Sequence, residues 1–156
     1  MRRSDREITD LQKIRQIILA CDCCRLGFAD GDGVYIVPMN FGYAEEHGKR
    51  NFYFHSAMEG RKLELIQKCG RVGFELDTSH RLKWSDTACG YSFFYQSIIG
   101  EGTVRMIEAS DEKRTALERI MGHYTGREDW EIPEASLSGV ALFRLEADHL
   151  SCKEHL

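Results

Sequence analysis

Ile8, Leu11, Ile14 and Ile18 fall on one face of a helical wheel, and this spacing predicts an amphipathic helix over residues 9–20. Ser4-x-x-Glu7 and Thr9-x-x-Gln12 both have the form of a capping box at its start. From Cys24 to Ala29 the apolar positions alternate, with Leu26 and Phe28 on one face, which predicts a strand. Asp30-Gly31-Asp32-Gly33 then reads as a hairpin turn, because Asp-Gly supplies the positive φ that tight turns need. The return strand is predicted as one long run from Val34 to Tyr43. Pro38 inside it has no N–H for the ladder and marks an edge or a bulge.

A polar turn at 45–50 leads to a third strand, crowded with Phe52, Tyr53 and Phe54. Leu63, Ile66 and Cys69 recur at helical spacing, so a helix opens near Arg61 and ends near Gly70, a natural C-terminal cap. Arg71 to Asp77 is the next strand, with Val72, Phe74 and Leu76 inward. Residues 78–90 read as a polar loop, and Tyr91 to Ile107 as a strand pair or one strand bent at Gly100 and Gly102. Ser110 is the expected cap of a further helix with Leu117, Ile120 and Met121 on its inner face. Residues 126–138 carry no pattern, and Val140 to Leu145 closes the chain as a strand. No repeat, low-complexity tract or linker divides the 156 residues, so a single domain over 1–156 is expected. Antiparallel strands with helices outside predict a small β-barrel of α+β type.

Composition narrows the function classes. A net charge of −4 argues against a general nucleic-acid binder, whose footprint would be basic. No apolar run approaches the roughly 20 residues that span a bilayer. The cations of the first residues have no apolar segment behind them, so no secretory signal is read and a cytoplasmic location is expected. Six cysteines are then expected as reduced thiols. The cluster Cys21, Cys23 and Cys24 lacks the paired spacing of a metal site and reads as small apolar residues, so no metal is expected.

Candidate chemistry concentrates in residues 51–62. A helix start has unpaired N–H groups and a positive dipole end. Arg61 adds a planar fork of donors and Lys62 a point charge, a pairing suited to phosphate. This stretch reads as a phosphate clamp beside a slot walled by strand residues, or as a strand–helix junction with two solvated cations. Asn40, polar within an apolar run, is either a solvent-facing residue or an amide aimed at a ligand.

These pieces resemble the flavin-binding split-barrel superfamily, and within it the pyridoxamine 5′-phosphate oxidase-related proteins of the nitroimidazole-resistance (Nim) family. The resemblance covers nearly the whole chain. It is carried by Cys24-Arg25-Leu26, Val37-Pro38-Met39-Asn40-Phe41-Gly42-Tyr43, Tyr53-Phe54-His55-Ser56-Ala57, Glu59-Gly60-Arg61-Lys62-Leu63, Arg71-Val72, Cys89 and Tyr95-Gln96-Ser97-Ile98-Ile99-Gly100-Glu101-Gly102. It implies a mostly antiparallel six-stranded split β-barrel with peripheral helices, paired as a homodimer with FMN at the interface. It also implies that Val37, Pro38, Met39, Asn40 and Phe41 line the isoalloxazine, largely through backbone groups. Phe54, His55 and Ser56 would contact the ribityl chain and ring, Arg61 and Lys62 the phosphate, and Gln96 and Ser97 would approach the flavin from within the dimer. Two departures bear on substrate contacts: Gln96 stands where many relatives carry Arg, and Leu150-Ser151-Cys152-Lys153 where they often have Thr-Gly-Lys.

Flavin would carry the redox chemistry, with protein supplying binding and orientation. The expected activity is that of an FMN-dependent oxidoreductase, reducing nitro-aromatic compounds with electrons from a nicotinamide cofactor or another carrier bound transiently. No G-x-G-x-x-G fingerprint is present for a resident nicotinamide. His55 is the catalytic candidate, as proton donor to a reduced nitro group or partner of a substrate carboxylate; its other reading is a packed histidine holding the strand end. A flavin- or haem-binding protein without turnover is the alternative. FMN is expected over FAD, because only one compact phosphate clamp is present. The aromatic run Tyr91-Ser92-Phe93-Phe94-Tyr95 offers more apolar surface than one thin barrel needs, which also favours a homodimer.

Overall fold

Asp10, rather than Ser4 or Thr9, starts the first helix. Its carboxylate accepts the Lys13 N–H at 2.8 Å, so α1 runs Leu11–Ala20. The computed structural model describes residues 4–127 and 129–156; the first two arginines, and the Ser4 side chain of the expected capping box, lie outside that description. Ile14, Ile17 and Ile18 of α1 are buried, whereas Leu11, expected on the same inner face, is exposed in the first turn.

The described strands are β1 (Glu7–Ile8), β2 (Cys24–Asp30), β3 (Gly33–Met39), β4 (Gly42–Glu46), β5 (Lys49–Ser56), β6 (Arg71–Lys83), β7 (Ser92–Met106) and β8 (Ala141–His155). They form one antiparallel sheet in the order β3-β2-β6-β7-β8-β5-β4, with β1 added to β8. Eight strands appear where six are expected, because two-residue β1 is added and the long return strand is cut in two. β3 ends at Met39 and β4 begins at Gly42. These two lie at opposite ends of the sheet path, yet three Cα steps of at most about 11 Å connect them. The sheet must therefore roll until its ends approach. No ladder joins β3 to β4, so the barrel is open, split at Asn40 and Phe41.

Two-residue turns set both hairpins. Gly31 takes φ 61° between β2 and β3, and His47 and Gly48 take φ 52° and 77° between β4 and β5, the pair of positive values a type I′ turn requires. Helix α2 (Arg61–Cys69) ends as expected at Gly70, in the left-handed region with φ 62°.

Other boundaries depart from expectation, β7 excepted, since one strand bent near Gly100 and Gly102 is among its expected forms. β6 continues to Lys83 through a bulge between Thr78 and Arg81, where Ser79 has φ 60°; its outer half is polar on both faces, which hid it in the sequence. β7 is one bent strand, its register shifting between Glu101 and Gly102. β8 runs ten residues past Leu145 to His155. Helix α3 (Ser110–Thr125) has Ala109 at its cap, so Ser110 is its first helical residue and makes no cap bond. A five-residue helix, α4 (Glu134–Ser138), lies inside the stretch expected to be irregular.

The barrel interior is aromatic. Phe52 packs on Phe74 and Phe54 on Phe143, each at 5.2 Å between centroids. Truncating such a ring to alanine costs about 3–5 kcal/mol. Cys21, Cys24 and Cys152 are buried among these residues, and all six cysteines are free thiols. Burial pushes the Cys21 thiol up to about 12 and Cys152 to about 11. A second, smaller core lies outside the barrel, where Ala116 and Ile120 of α3 cover Tyr53 and Leu142. α3 comes close enough that a Cβ on Gly42 would lie 2.5 Å from backbone atoms of Arg119 and Ile120.

Candidate functional site

Helix α2 opens without a side-chain cap. Gly60 sits at the cap position with φ 138° and ψ 161°, a conformation confined to glycine, and nothing lies within 4 Å of where its Cβ would be. The first two helical residues are Arg61 and Lys62. Leu63 and Glu64 return their N–H groups to the Gly60 carbonyl, while no described group accepts from the N–H of Arg61 or Lys62. Exposed backbone donors, an open glycine surface and two adjacent cations form a donor set that fits a phosphate monoester.

Arg61 is already oriented. Its Nε and Nη2 hold Asp30 at 2.7 and 2.5 Å, and its guanidinium lies over the Tyr35 ring at 4.6 Å. The clamp is thereby tied to the β2–β3 hairpin, bringing Arg61 beside the strand that carries Val37, Pro38 and Met39. Lys62 is half-buried and forms no ion pair with another described residue. Sequence reasoning missed Asp30 as an orienting residue: it stands 31 positions from Arg61, in a motif fully explained by its turn.

Along β3 the residues alternate. Tyr35, Val37 and Met39 pack against the core, and Ile36, Pro38 and Val34 face outward. β3 is an edge strand, so Pro38 breaks no central ladder. Phe41 is fully buried against His123, centroids 4.3 Å apart, and its N–H donates to the Tyr124 hydroxyl at 3.1 Å. The Asn40 side chain is exposed beside that same hydroxyl.

The 54–56 segment splits between faces. Phe54 is a core residue, Ser56 bonds the Ala57 carbonyl at 2.8 Å, and His55 projects to solvent from the end of β5 opposite Leu142. His55 is six residues from the clamp and touches neither of its cations. The packed-histidine reading therefore falls to His123, not His55.

Gln96 and Ser97, grouped in the sequence, also point to opposite faces. Gln96 accepts from Ser79 at 2.8 Å and donates to Glu154 at 3.0 Å; Lys13 pairs with that same carboxylate and holds it below its usual range. Ser97 faces outward with Ile99. It shares that face with Pro38, through the register Pro38↔Arg25, Arg25↔Glu75 and Asp77↔Ser97. Between them Arg25 bridges Asp77 and Glu75 at 2.7 and 2.9 Å, and those bonds keep it charged. Gly27, Gly73 and Gly100 floor a shallow groove of about 410 Å³ on this face, flanked by Ile36. A separate cavity of about 430 Å³ lies beyond Gly60, between α2 and α3; its three glutamates (Glu59, Glu64, Glu108) against one Lys113 make it a poor phosphate site.

Comparison with known proteins shows the family and the fold. The chain matches the pyridoxamine 5′-phosphate oxidase family over residues 10–154. The structure of a candidate 5-nitroimidazole antibiotic resistance protein from Bacteroides thetaiotaomicron is similar, with 34% identity, a TM-score of 0.81, and coverage of 95% of this chain and 86% of that one. Flavocytochrome Anf3 from Azotobacter vinelandii shares the fold at 16% identity and a TM-score of 0.79, covering 100% and 72%. So does a FAD- and haem-binding protein from Mycobacterium smegmatis, at 17% identity and a TM-score of 0.76, covering 96% and 73%. No functionally curated protein matches the chain.

Proposed function

Because the chain belongs to the pyridoxamine 5′-phosphate oxidase family, we propose that it is an FMN-dependent oxidoreductase that acts as a homodimer on small molecules, nitro-aromatic compounds among them. The observation that carries this reading is the uncapped start of α2, with Arg61 held against β3 and Lys62 unpaired beside it. This donor set suits one phosphate, and among the described residues no second pair of adjacent cations at a helix start adjoins it, which favours FMN over FAD. The similar structure at 34% identity is described as a nitroimidazole-resistance protein, which supports the substrate class.

FMN held here would supply the electron-transfer chemistry, with a nicotinamide or another transient donor as the electron source. Arg61 and Lys62 bind the phosphate. Val37, Pro38 and Met39 present backbone to the ring, and Phe54 keeps the inner wall dry. His55, exposed at the strand end, holds a proton that an acceptor needs as its oxygens are reduced. Ser97 and the groove face complete the site across the dimer. Val34, Ile36 and Ile99 are 70%, 64% and 57% exposed there, an apolar row that a second copy would cover. No helix among the described residues is long and apolar enough to cross a membrane.

The absorbance of the purified protein tests the class. Flavin bands bleached by NADH or NADPH and restored by a nitro-aromatic acceptor support an oxidoreductase. A flavin that never turns over, or a Soret band, favours the binding-only alternative, the kind of protein that the FAD- and haem-binding neighbour from Mycobacterium smegmatis represents.

A further inference from the structure

Past the barrel, β6 and β7 run on as a two-stranded arm. β2 pairs with β6 only at Gly73–Glu75, and β8 leaves β7 at Tyr95. The last ladder pairs, Arg81↔Phe94, Leu82↔Phe93 and Lys83↔Ser92, therefore have no third strand beside them. Such a ribbon is marginally stable in water unless one face is packed. Leu82 and Phe93 share a face, with His80 stacked on Phe93 at 5.8 Å and the Trp84 and Tyr91 rings 5.5 Å apart just beyond. Leu82, Phe93, Trp84 and Tyr91 are 44%, 50%, 77% and 39% exposed. Alternation along β7 puts Phe93 on the same face as Ser97 and Ile99, so the arm continues the row of Val34, Ile36 and Ile99. The exposed parts of these side chains amount to roughly 800 Å² a copy, about what one partner buries in a standard interface.

This face is bulky at the arm and hollow at the other end, where Gly27 and Gly73 leave the groove beside Ile36. The spacing of knob and hollow matches. Phe93 lies four residues from Ser97, and Gly73 lies four residues the opposite way from Asp77, the ladder partner of Ser97. Each step is about 13 Å. A two-fold axis crossing the strands at Asp77 and Ser97 therefore lays Phe93 of each copy in the glycine-floored groove of the other. It also carries the Trp84–Tyr91 pair toward the Arg71 end of the partner's sheet, the end at which Asp30 holds Arg61. An axis along the strands would set arm on arm and groove on groove, leaving both hollows unfilled. We infer that two copies of this chain pair by exchanging arms, with Phe93 and Leu82 filling the groove over the partner's Gly73. The inference rests on the homodimer reading above and adds its surface and register.

Sedimentation equilibrium of the full chain tests it, with circular dichroism as the check on folding. A Cβ on Gly73 would meet nothing closer than the Gly100 carbonyl oxygen at 3.8 Å, so the sheet has room for a side chain there while the groove does not. Gly73→Val and Phe93→Ala should each weaken the dimer by roughly tenfold or more, because each change occurs twice in a two-fold pair and buried aromatic anchors dominate interfaces. The double variant, with the ring removed and the hollow filled, should dimerise more tightly than either single. Losses that multiply in the double variant would overturn the direct contact. A dimer weakened by Phe93→Ala but indifferent to Gly73→Val would overturn the exchange in favour of arm on arm. Gly73→Ala repeats the test should Gly73→Val fail to fold. A wild-type chain that is monomeric overturns the inference together with the homodimer, whereas a wild-type dimer insensitive to both changes overturns the inference alone.

Discussion

Arg61→Ala should cost FMN affinity without costing the fold. In the free protein Arg61 spends two donors on Asp30 and stacks on Tyr35. Its side chain is 58% exposed and that of Asp30 is 29% exposed, so the pair contributes only about 0.2–1 kcal/mol to stability. A hydrogen bond to a charged group contributes about 1.5–3 kcal/mol, and the guanidinium fork retains donors not used by Asp30. Its loss should therefore weaken FMN by roughly ten- to a hundredfold. Asp30 makes the variant worse, because its carboxylate is left uncompensated near the phosphate. Arg61→Ala/Asp30→Asn should regain several-fold in affinity. Lys62→Ala should lose less than Arg61→Ala, since a point charge lacks the fork geometry. Flavin fluorescence quenching gives the affinities and thermal unfolding the stability. An Arg61→Ala protein with full FMN affinity, or one that loses affinity only in step with its melting temperature, would refute the clamp.

His55→Ala should keep its FMN stoichiometry yet reduce nitro-aromatic acceptors about 10²-fold more slowly in single turnover; equal loss of flavin in His55→Ala and Arg61→Ala would make His55 a ligand instead. Sedimentation at micromolar concentration should give a dimer, which Ile99→Glu dissociates at little cost to the fold because Ile99 is 57% exposed; an unchanged dimer would move the interface elsewhere. Burial pushes the Cys21 and Cys152 thiols up to about 12 and about 11, from an ordinary value of 9.0. Above pH 9 the unfolded chain therefore holds fewer protons than the native one, so stability should be level below pH 9 and fall from there toward pH 11–12. A melting temperature that stays flat to pH 11 would contradict their burial.

Periodic segments were legible where one residue type forces one geometry. Gly70 ended α2 as predicted, and Asp-Gly placed the first hairpin. The place of Arg61 and Lys62 at the start of α2 was readable, because both fall just before the helical run of Leu63 and Ile66. The break at Asn40 and Phe41 was not readable: the apolar run continues across it, and what stops the strand is the approach of α3 to Gly42, about eighty residues away in the chain. The outer half of β6 was hidden because its residues are almost all polar and exposed, and that of β8 because Ala147, Leu150 and Cys152, its apolar residues, do not alternate at a strand's period of two. Asp30, His123 and Tyr124 each belong to a segment whose local pattern explains them fully, so only the rolled sheet reveals what they touch. Gln96 and Ser97 looked like one site element, but strand alternation sends them to opposite faces.

The central claim is that the start of α2 holds the single phosphate of a flavin. Titration of the apoprotein with FMN, riboflavin and FAD, followed by fluorescence quenching, tests it most directly. FMN should bind about 10²-fold or more tightly than riboflavin, which lacks the phosphate, and more tightly than FAD, whose adenylate has no second site. Riboflavin binding as tightly as FMN would contradict the clamp, and FAD binding as tightly or more tightly would contradict the assignment of the cofactor.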